Sequence, residues 1–432
     1  MKDKYLFKQI PVIALPLILS NLTVPLLGLV TTAVMGHLSS ANYLAAVGIG
    51  AIIFDTIFNV FNFLRMATTG VVAQAHGRGE EREVALYLLR GIFLALLIGV
   101  LLIVLQKPLL QLSITIMHPN NTVAELLKRY FLIRIYVAPA TLCVYAFVGW
   151  FIGIHRPRYA LYLMLITNVI ATALSLLFVY GLQLNVGGVA AAIVVAQYMA
   201  LTYAVWQAAR VHPSLYQYVR DIFTDFTRIK ALLHLNKNIM IRTICLMSVF
   251  FSFTAFGSRL GHLTLAANVV LMNFSILSAY ALDGFANAAE ILVGKALGKQ
   301  SRSDFFASIR YTLYWSVLIA AAICVVYFVI GIPLVHLLTS IESVRETVKH
   351  YFLWAIFVPL VSVLSFWADG VFIGATWGKA MRNVMVLSVL FYFLVWYATR
   401  GWGNNGLWFA FYAFFIMRGA LMVLSLLKRI RH

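Results

Sequence analysis

The chain contains itself twice. Glu125-Leu126-Leu127-Lys128-Arg129-Tyr130-Phe131-Leu132 reads against Glu346-Thr347-Val348-Lys349-His350-Tyr351-Phe352-Leu353. At the same offset, 221, Gly149-Trp150-Phe151-Ile152-Gly153 faces Gly370-Val371-Phe372-Ile373-Gly374, and Ala75, Gly77 and Arg78 face Ala296, Gly298 and Lys299. A constant offset over three separate segments marks two copies of one folding unit. Duplicated membrane halves usually enclose a substrate path at their interface.

That the unit is a membrane unit follows from composition. Hydrophobic residues make up 62% of the 432 and charged residues 11%, against roughly 25% charged in soluble domains. With a mean hydropathy of +0.91, so much apolar surface does not fit inside one soluble core. Apolar runs of about 20 residues fall at 9–34, 44–74, 87–108, 126–153, 159–181 and 188–209, then at 236–257, 263–294, 309–331, 347–374, 381–400 and 405–427. The fold expected is all-α: a polytopic membrane protein with twelve transmembrane helices in two six-helix lobes. Residues 1–210 form the N-terminal lobe, 211–235 a cytoplasmic inter-lobe loop and 236–432 the C-terminal lobe. The first run has no small-residue cleavage site behind it and reads as a retained helix rather than a signal peptide. Pro16, Pro25, Pro139 and Pro359 lie inside spans, where each removes a backbone donor and can bend its helix.

Basic residues set the orientation. With both termini placed in the cytoplasm and span ends taken to within about four residues, the outer loops hold seven of the 33 Lys and Arg and the spans hold four, Arg65, Arg134, Arg242 and Arg418. The rest are cytoplasmic, as the positive-inside rule requires. Six spans per copy is an even number, so both copies enter the membrane in the same direction and are related by a pseudo-twofold axis along the membrane normal. The net charge of +19 sits in short loops beside apolar spans. It therefore indicates topology and anionic lipid headgroups, not nucleic acid. Cys143, Cys245 and Cys324 stand singly in apolar runs, with no disulfide or metal spacing. His76, His155, His212 and His234 are scattered in or near cytoplasmic loops. No paired histidines, Cys–His pair or phosphate-cradling Gly-Lys-Ser/Thr loop appears, so neither an enzyme nor an organic cofactor is expected.

Four acids fall inside spans: Asp55, Asp283, Glu290 and Asp369. An intramembrane carboxylate is costly and faces a cavity, a partner or an ion path. Asp283 and Glu290 are two turns apart on roughly one face of a helix, and Asp369 follows the aromatic stretch Phe366-Trp367. A carboxyl group of this kind can cycle a proton near neutral pH, or hold Na⁺ if other oxygens surround it. Asn268 and Asn273 are candidate neutral donors. The structural alternative for each acid is a pair with an intramembrane arginine such as Arg242. For Arg65 and Arg242, snorkelling competes with gating or counter-ion service. At the 221 offset Asp369 meets Val148, Asp283 meets Asn62 and Glu290 meets Thr69, so carboxylate-based coupling is expected mostly in the C-terminal lobe.

Several segments resemble the multidrug and toxic compound extrusion (MATE) family in its DinF branch. They are Val24-Pro25-Leu26-Leu27-Gly28-Leu29-Val30, Ala33-Val34-Met35-Gly36-His37-Leu38, Phe63-Leu64-Arg65-Met66-Ala67-Thr68-Thr69-Gly70 with Ala73-Gln74-Ala75, Tyr280-Ala281-Leu282-Asp283-Gly284-Phe285-Ala286, Asp369-Gly370-Val371-Phe372-Ile373-Gly374-Ala375-Thr376 and Met381-Arg382-Asn383. The resemblance covers nearly the whole chain. It implies two six-helix lobes, a central cleft, and drug export coupled to H⁺ or Na⁺. Two positions depart from the family pattern: Thr31 and Ser175, the latter following Asn168, stand where related members carry Asp. The acids that match the family's C-lobe set are Asp283, Glu290 and Asp369.

These readings converge on a secondary antiporter of the inner membrane, functional as a monomer, exporting amphipathic, cationic organic compounds against H⁺ or Na⁺. Asp369, Asp283 and Glu290 are the expected coupling residues, with Asp369 the position for Na⁺. Asp55, Arg65, Arg242, Asn168, Thr31, Ser175 and Asn273 are candidates for the cleft or its gates. The alternative is a flippase for lipid-linked precursors or an exporter of an anionic metabolite, for which Arg65, Arg134 and Arg242 would serve.

Overall fold

The computed structural model describes residues 6–22, 41–223 and 225–431. The described residues are helical almost throughout. They form α1 (Leu6–Leu22), α2 (Ala41–Val60), α3 (Phe63–Arg78), α4 (Glu81–Val104), α5 (Gln106–Met117), α6 (Asn121–Arg134), α7 (Ala138–Gly153), α8 (Pro157–Leu176), α9 (Asn185–Val211), α10 (Phe226–Ser258), α11 (His262–Gly298), α12 (Arg302–Leu338), α13 (Glu342–Gly374), α14 (Gly378–Thr399) and α15 (Asn404–Arg431). Among them 11 helical stretches are long and apolar enough to cross a membrane, and the shorter apolar α1 is a further helix. Each of the twelve expected spans is helical over most of its described residues. Large apolar side chains point outward, with Phe328 75% and Leu337 83% exposed. In water such a surface would aggregate; in lipid it is the solvated face.

Helix ends follow local chemistry. α2 and α3 make one crossing, broken by a turn at Phe61-Asn62. α6 and α7 make another, joined by a 3-10 turn over Ile135–Val137. Pro139 brings no N–H to the carbonyl four positions earlier, and the turn tightens there. In contrast α13 runs on through Pro359. Pro25 and Thr31 lie outside the described residues, as do the motif segments 24–30 and 33–38.

The duplication is visible atom by atom. α3 ends in a Schellman-type cap on Gly79 (φ 75°), with Glu80 N–H donating to Ala75 O at 3.0 Å. At the offset, Gln300 (φ 53°) ends α11, and Ser301 N–H donates to Ala296 O at 3.0 Å. His155 (φ 62°) and Thr376 (φ 57°) repeat the relation after α7 and α13, with Arg156→Phe151 and Trp377→Phe372 bonds of 2.8 Å each. A left-handed residue satisfies the last carbonyls of a helix, and both copies use it at the same two corners.

The close helix contact is duplicated as well. A Cβ on Gly149 would run into Arg65 O, and one on Gly153 would stand 3.0 Å from Thr69 O. A Cβ on Gly370 would run into Ala286 O, and one on Gly374 into Glu290 O. Arg65 and Ala286 are equivalent positions of the two copies, as are Thr69 and Glu290. The glycines, four apart, let α7 meet α3 and α13 meet α11 backbone to backbone, as small-xxx-small pairs do in membranes.

By contacts the chain divides into residues 19–232 and a second unit of residues 1–18 with 233–432. This differs from the expected division at 1–210 and 236–432 in where the first helix belongs. Trp315 Nε1 donates to Phe7 O at 3.1 Å, and the Phe7 ring packs on Tyr311 and Trp315. Gly284 leaves room for Ala14 and Ile18. In the other unit, Trp150 is fully buried and donates to Val84 O at 2.9 Å. The stretch expected as a loop is partly ordered there: residues Pro213–Asp221 form a 3-10 segment on α4 and α9.

Candidate functional site

The second unit buries a three-residue ion cluster. Asp369 on α13 accepts at Oδ2 from Nη2 of Arg242 on α10 and Nη2 of Arg418 on α15. All three are buried: Asp369 is 4% exposed, Arg242 8% and Arg418 1%. Neighbouring bonds one turn away hold the helices in register. Ser365 Oγ donates to Phe415 O at 2.7 Å, four positions before Asp369 and three before Arg418. Arg382 Nη1 donates to Asn238 Oδ1 at 3.0 Å, four positions before Arg242. Residues at these spacings share a helix face, so each contact aims the next.

Asp283 and Glu290 flank this cluster along α11. The α11–α13 contact at Ala286 and Gly370 lies three positions after Asp283 and four before Glu290, and Asp369 directly precedes Gly370. Asp283 is half-buried, and its charge acts on the Arg418 guanidinium. Glu290 is 1% exposed, and its carbonyl lies against Gly374. Asp369 and Asp283 are thus the acids that act on these guanidiniums, and Glu290 lies one turn beyond the Ala286 contact along α11. Asp369 Oδ1, Arg242 Nε and Arg418 Nε and Nη1 are buried with no hydrogen-bond partner among the described residues. Buried polar atoms are normally hydrogen-bonded, to protein or to ordered water.

Asn268 and Asn273 lie elsewhere. Asn268 precedes Asp283 on α11 by about 22 Å along the helix axis. Its amide exchanges bonds with Asn404 (2.7 and 3.0 Å) and accepts from Trp408 Nε1 at 2.9 Å. Asn273 is exposed, and its amide donates to Val269 O at 2.9 Å.

The first unit has its own charges at different positions. Asp55 on α2 lies within electrostatic reach of Arg134 on α6. The Arg134 guanidinium bonds the Tyr130 hydroxyl and stands 4.8 Å from the Phe54 ring centroid. Arg65 Nε donates to Asn62 Oδ1 at 3.1 Å, and Thr69 Oγ1 donates to Arg65 O at 3.0 Å. Ser175 is buried, and the buried Asn168 Nδ2 has no hydrogen-bond partner among the described residues. At the 221 offset Asp55 and Arg134 become Ile276 and Ala355, while Arg242, Asp369 and Arg418 become Asn21, Val148 and Gln197. One backbone plan therefore carries two non-equivalent charge clusters.

The sequence offers Arg242 as a possible partner of Asp369 but assigns no role to Arg418, the more deeply buried partner. The available signal is Arg418 itself, an arginine inside an apolar span. Its place on a different helix, α15, hides the pairing with Asp369 on α13.

Two copies of one helical unit, outward apolar faces and buried charges within apolar helices define a multi-pass membrane transporter. The family comparison agrees: the model described as MatE matches twice, over residues 16–177 and 239–398, and the chain belongs to that family. It is 36% identical to DNA damage-inducible protein F of Escherichia coli K12 over 413 residues, covering 94% of this chain and 89% of the relative. It is 23% identical to a probable multidrug resistance protein NorM of Halalkalibacterium halodurans, covering 84% of this chain and 80% of the relative. Among solved structures, a variant of the Vibrio cholerae MATE transporter VcmN superposes with a TM-score of 0.89 at 21% identity, covering 99% of this chain and 98% of that one. That likeness concerns the fold.

Proposed function

We propose that the protein is an ion-coupled antiporter of the inner membrane that exports amphipathic organic compounds, with the coupling site in the C-terminal lobe. The observation that carries this reading is the Arg242–Asp369–Arg418 cluster with Asp283 acting on Arg418. An incoming H⁺ or Na⁺ at these acids neutralises a carboxylate and leaves a guanidinium without its counter-charge. An uncompensated charge in a buried site is costly, so the helices α10, α13 and α15 favour a different arrangement with the ion bound than without it. Differential stability of two states is what an alternating-access cycle needs.

A second reading, an anionic cargo, draws support from the spare donors at Arg418 Nε and Nη1 and Arg242 Nε. Guanidinium groups bind carboxylate and phosphate oxygens through such donors.

The test uses purified protein in liposomes, with a proton or a sodium gradient imposed separately and a cationic dye followed. Wild type moves dye with one ion; Asp283→Asn, at a half-buried position, and Asp369→Asn lose that movement. Ion-driven transport that survives in both variants overturns the C-lobe assignment. Movement with neither ion, together with gradient-driven movement of an anionic dye, selects the second reading.

A further inference from the structure

We propose that the end of the C-terminal unit where α11 turns into α12 carries a binding site for a phosphate ester, built on Arg302 and Arg429. A cavity of about 290 Å³ lies there, between the last turn of α11, the first turn of α12, Trp377 and the end of α15. Its lining includes Arg302, Arg429, Ser301, Trp377, Phe305 and Phe306, and no carboxylate. The Arg429 guanidinium stands 4.9 Å from the Trp377 ring centroid, which holds it in place. Arg302 begins a helix of 37 residues, in whose first turn Ser301 Oγ accepts from the Asp304 N–H at 3.2 Å. Phe306 is 45% exposed and offers an apolar flank beside the charged mouth. The volume is near the lower bound of ligand pockets, roughly 300 Å³. It suits a headgroup rather than a whole amphipathic molecule.

The internal repeat supplies the second argument. In the first unit the equivalent end is covered by the chain itself. His212 contacts the Glu81 carboxylate at 3.3 Å, Arg82 pairs with Asp221 at 2.8 Å, and Arg90 Nε donates to Ile222 O at 3.1 Å. The 3-10 segment Pro213–Asp221 packs on α4. At the 221 offset Glu81 becomes Arg302 and Ala208 becomes Arg429. An acid and a small residue are thus replaced by two cations. The change of sign is what an external anion requires, and two guanidiniums suit phosphate oxygens. A phospholipid headgroup and a soluble phosphate ester share this chemistry.

The experiment titrates delipidated full-length protein with mixed micelles containing phosphatidylglycerol or phosphatidylcholine. It reads the tryptophan emission that Trp377→Phe removes. Wild type should bind phosphatidylglycerol more tightly than phosphatidylcholine. The pair Arg302→Gln with Arg429→Gln should weaken that binding by about a hundredfold or more, because two charge-assisted bonds to phosphate oxygens are lost. The control pair Arg158→Gln with Arg220→Gln, which lines no part of the cavity, should weaken it by no more than about thirtyfold, the general effect of two basic residues near a membrane surface. Glycerol 3-phosphate added as competitor separates the sources. Displacement at comparable concentration assigns the site to soluble phosphate esters, and failure to displace assigns it to lipid. Equal binding of both lipids, or equal weakening by the control pair, overturns the proposal. Thermal unfolding verifies that the fold is retained in the arginine variants, all changed at exposed positions, and in Trp377→Phe.

Discussion

Replacing Asp369 by Asn keeps the volume at the centre of the cluster and removes its charge. Arg242 and Arg418, 8% and 1% exposed, then hold two positive charges in a buried site, with Asp283 remaining near Arg418. Removing one partner of a buried ion pair costs about 3–5 kcal/mol, and the nearby Asp283 places the expectation at the lower end. The loss should be local to the second unit, and the chain supplies its own reporters. Cys324 is buried in that unit and Cys143 in the other. Labelling of a buried thiol reports the opening of its surroundings. With Cys245 replaced by Ser, a loss of about 3 kcal/mol should speed the labelling of Cys324 by roughly a hundredfold, while the rate at Cys143 stays near wild type. Adding Arg418→Met to Asp369→Asn removes one uncompensated charge and should recover about half the loss, a coupling of about 1–3 kcal/mol. The reasoning is refuted if Cys324 labels at the wild-type rate in Asp369→Asn, if Cys143 accelerates equally, or if Arg418→Met adds its own cost in full.

Gly370→Val should cost upwards of about 3 kcal/mol because the new side chain meets the Ala286 carbonyl and only movement of α11 or α13 relieves it; the yield of folded protein on size-exclusion chromatography checks this. Gly149→Val should do the same to the first unit through Arg65 O, and normal yield from either variant would discount the backbone contact. Asn268→Ala removes the partner of Asn404 and Trp408 and should destabilise by about 1–3 kcal/mol, read as a lowered unfolding temperature in detergent. Arg228 pairs with Glu83 at 2.7 Å, and Glu83 also holds the buried Arg90 at 3.3 Å. Arg228→Ala should therefore loosen the covering segment and increase proteolytic cleavage between residues 212 and 225, with α8 and α9 remaining intact.

The Asp369 cluster shows how far the sequence reaches. Asp369, Asp283 and Glu290 stand out because a carboxylate in an apolar run is expensive, and cost is readable one residue at a time. Their partners are not. Arg242 and Arg418 come from helices 127 and 49 residues away from Asp369, and only packing brings the three side chains to one point. Asn268 and Asn273 illustrate the converse. Both are plausible oxygen donors by residue type, yet one closes an amide pair with Asn404 and the other is exposed. Helix pitch decided this, since the rise of α11 between Asn268 and Asp283 carries the amide far from the acid.

The sequence by itself determined the spans, because length and apolarity are local properties that a bilayer selects directly. It also determined the duplication, because two copies of one packing problem retain the same glycines: Gly149 and Gly153 recur as Gly370 and Gly374, each pair seated on the backbone of a neighbouring helix. Only the tertiary structure decided that residues 6–18 pack with the C-terminal helices, that residues 213–221 cover one end of the first unit, and that Asp369 is shared by two arginines. These are contacts between segments distant in the chain. No periodicity marks them in advance, and their free energy exists only once the helices are side by side.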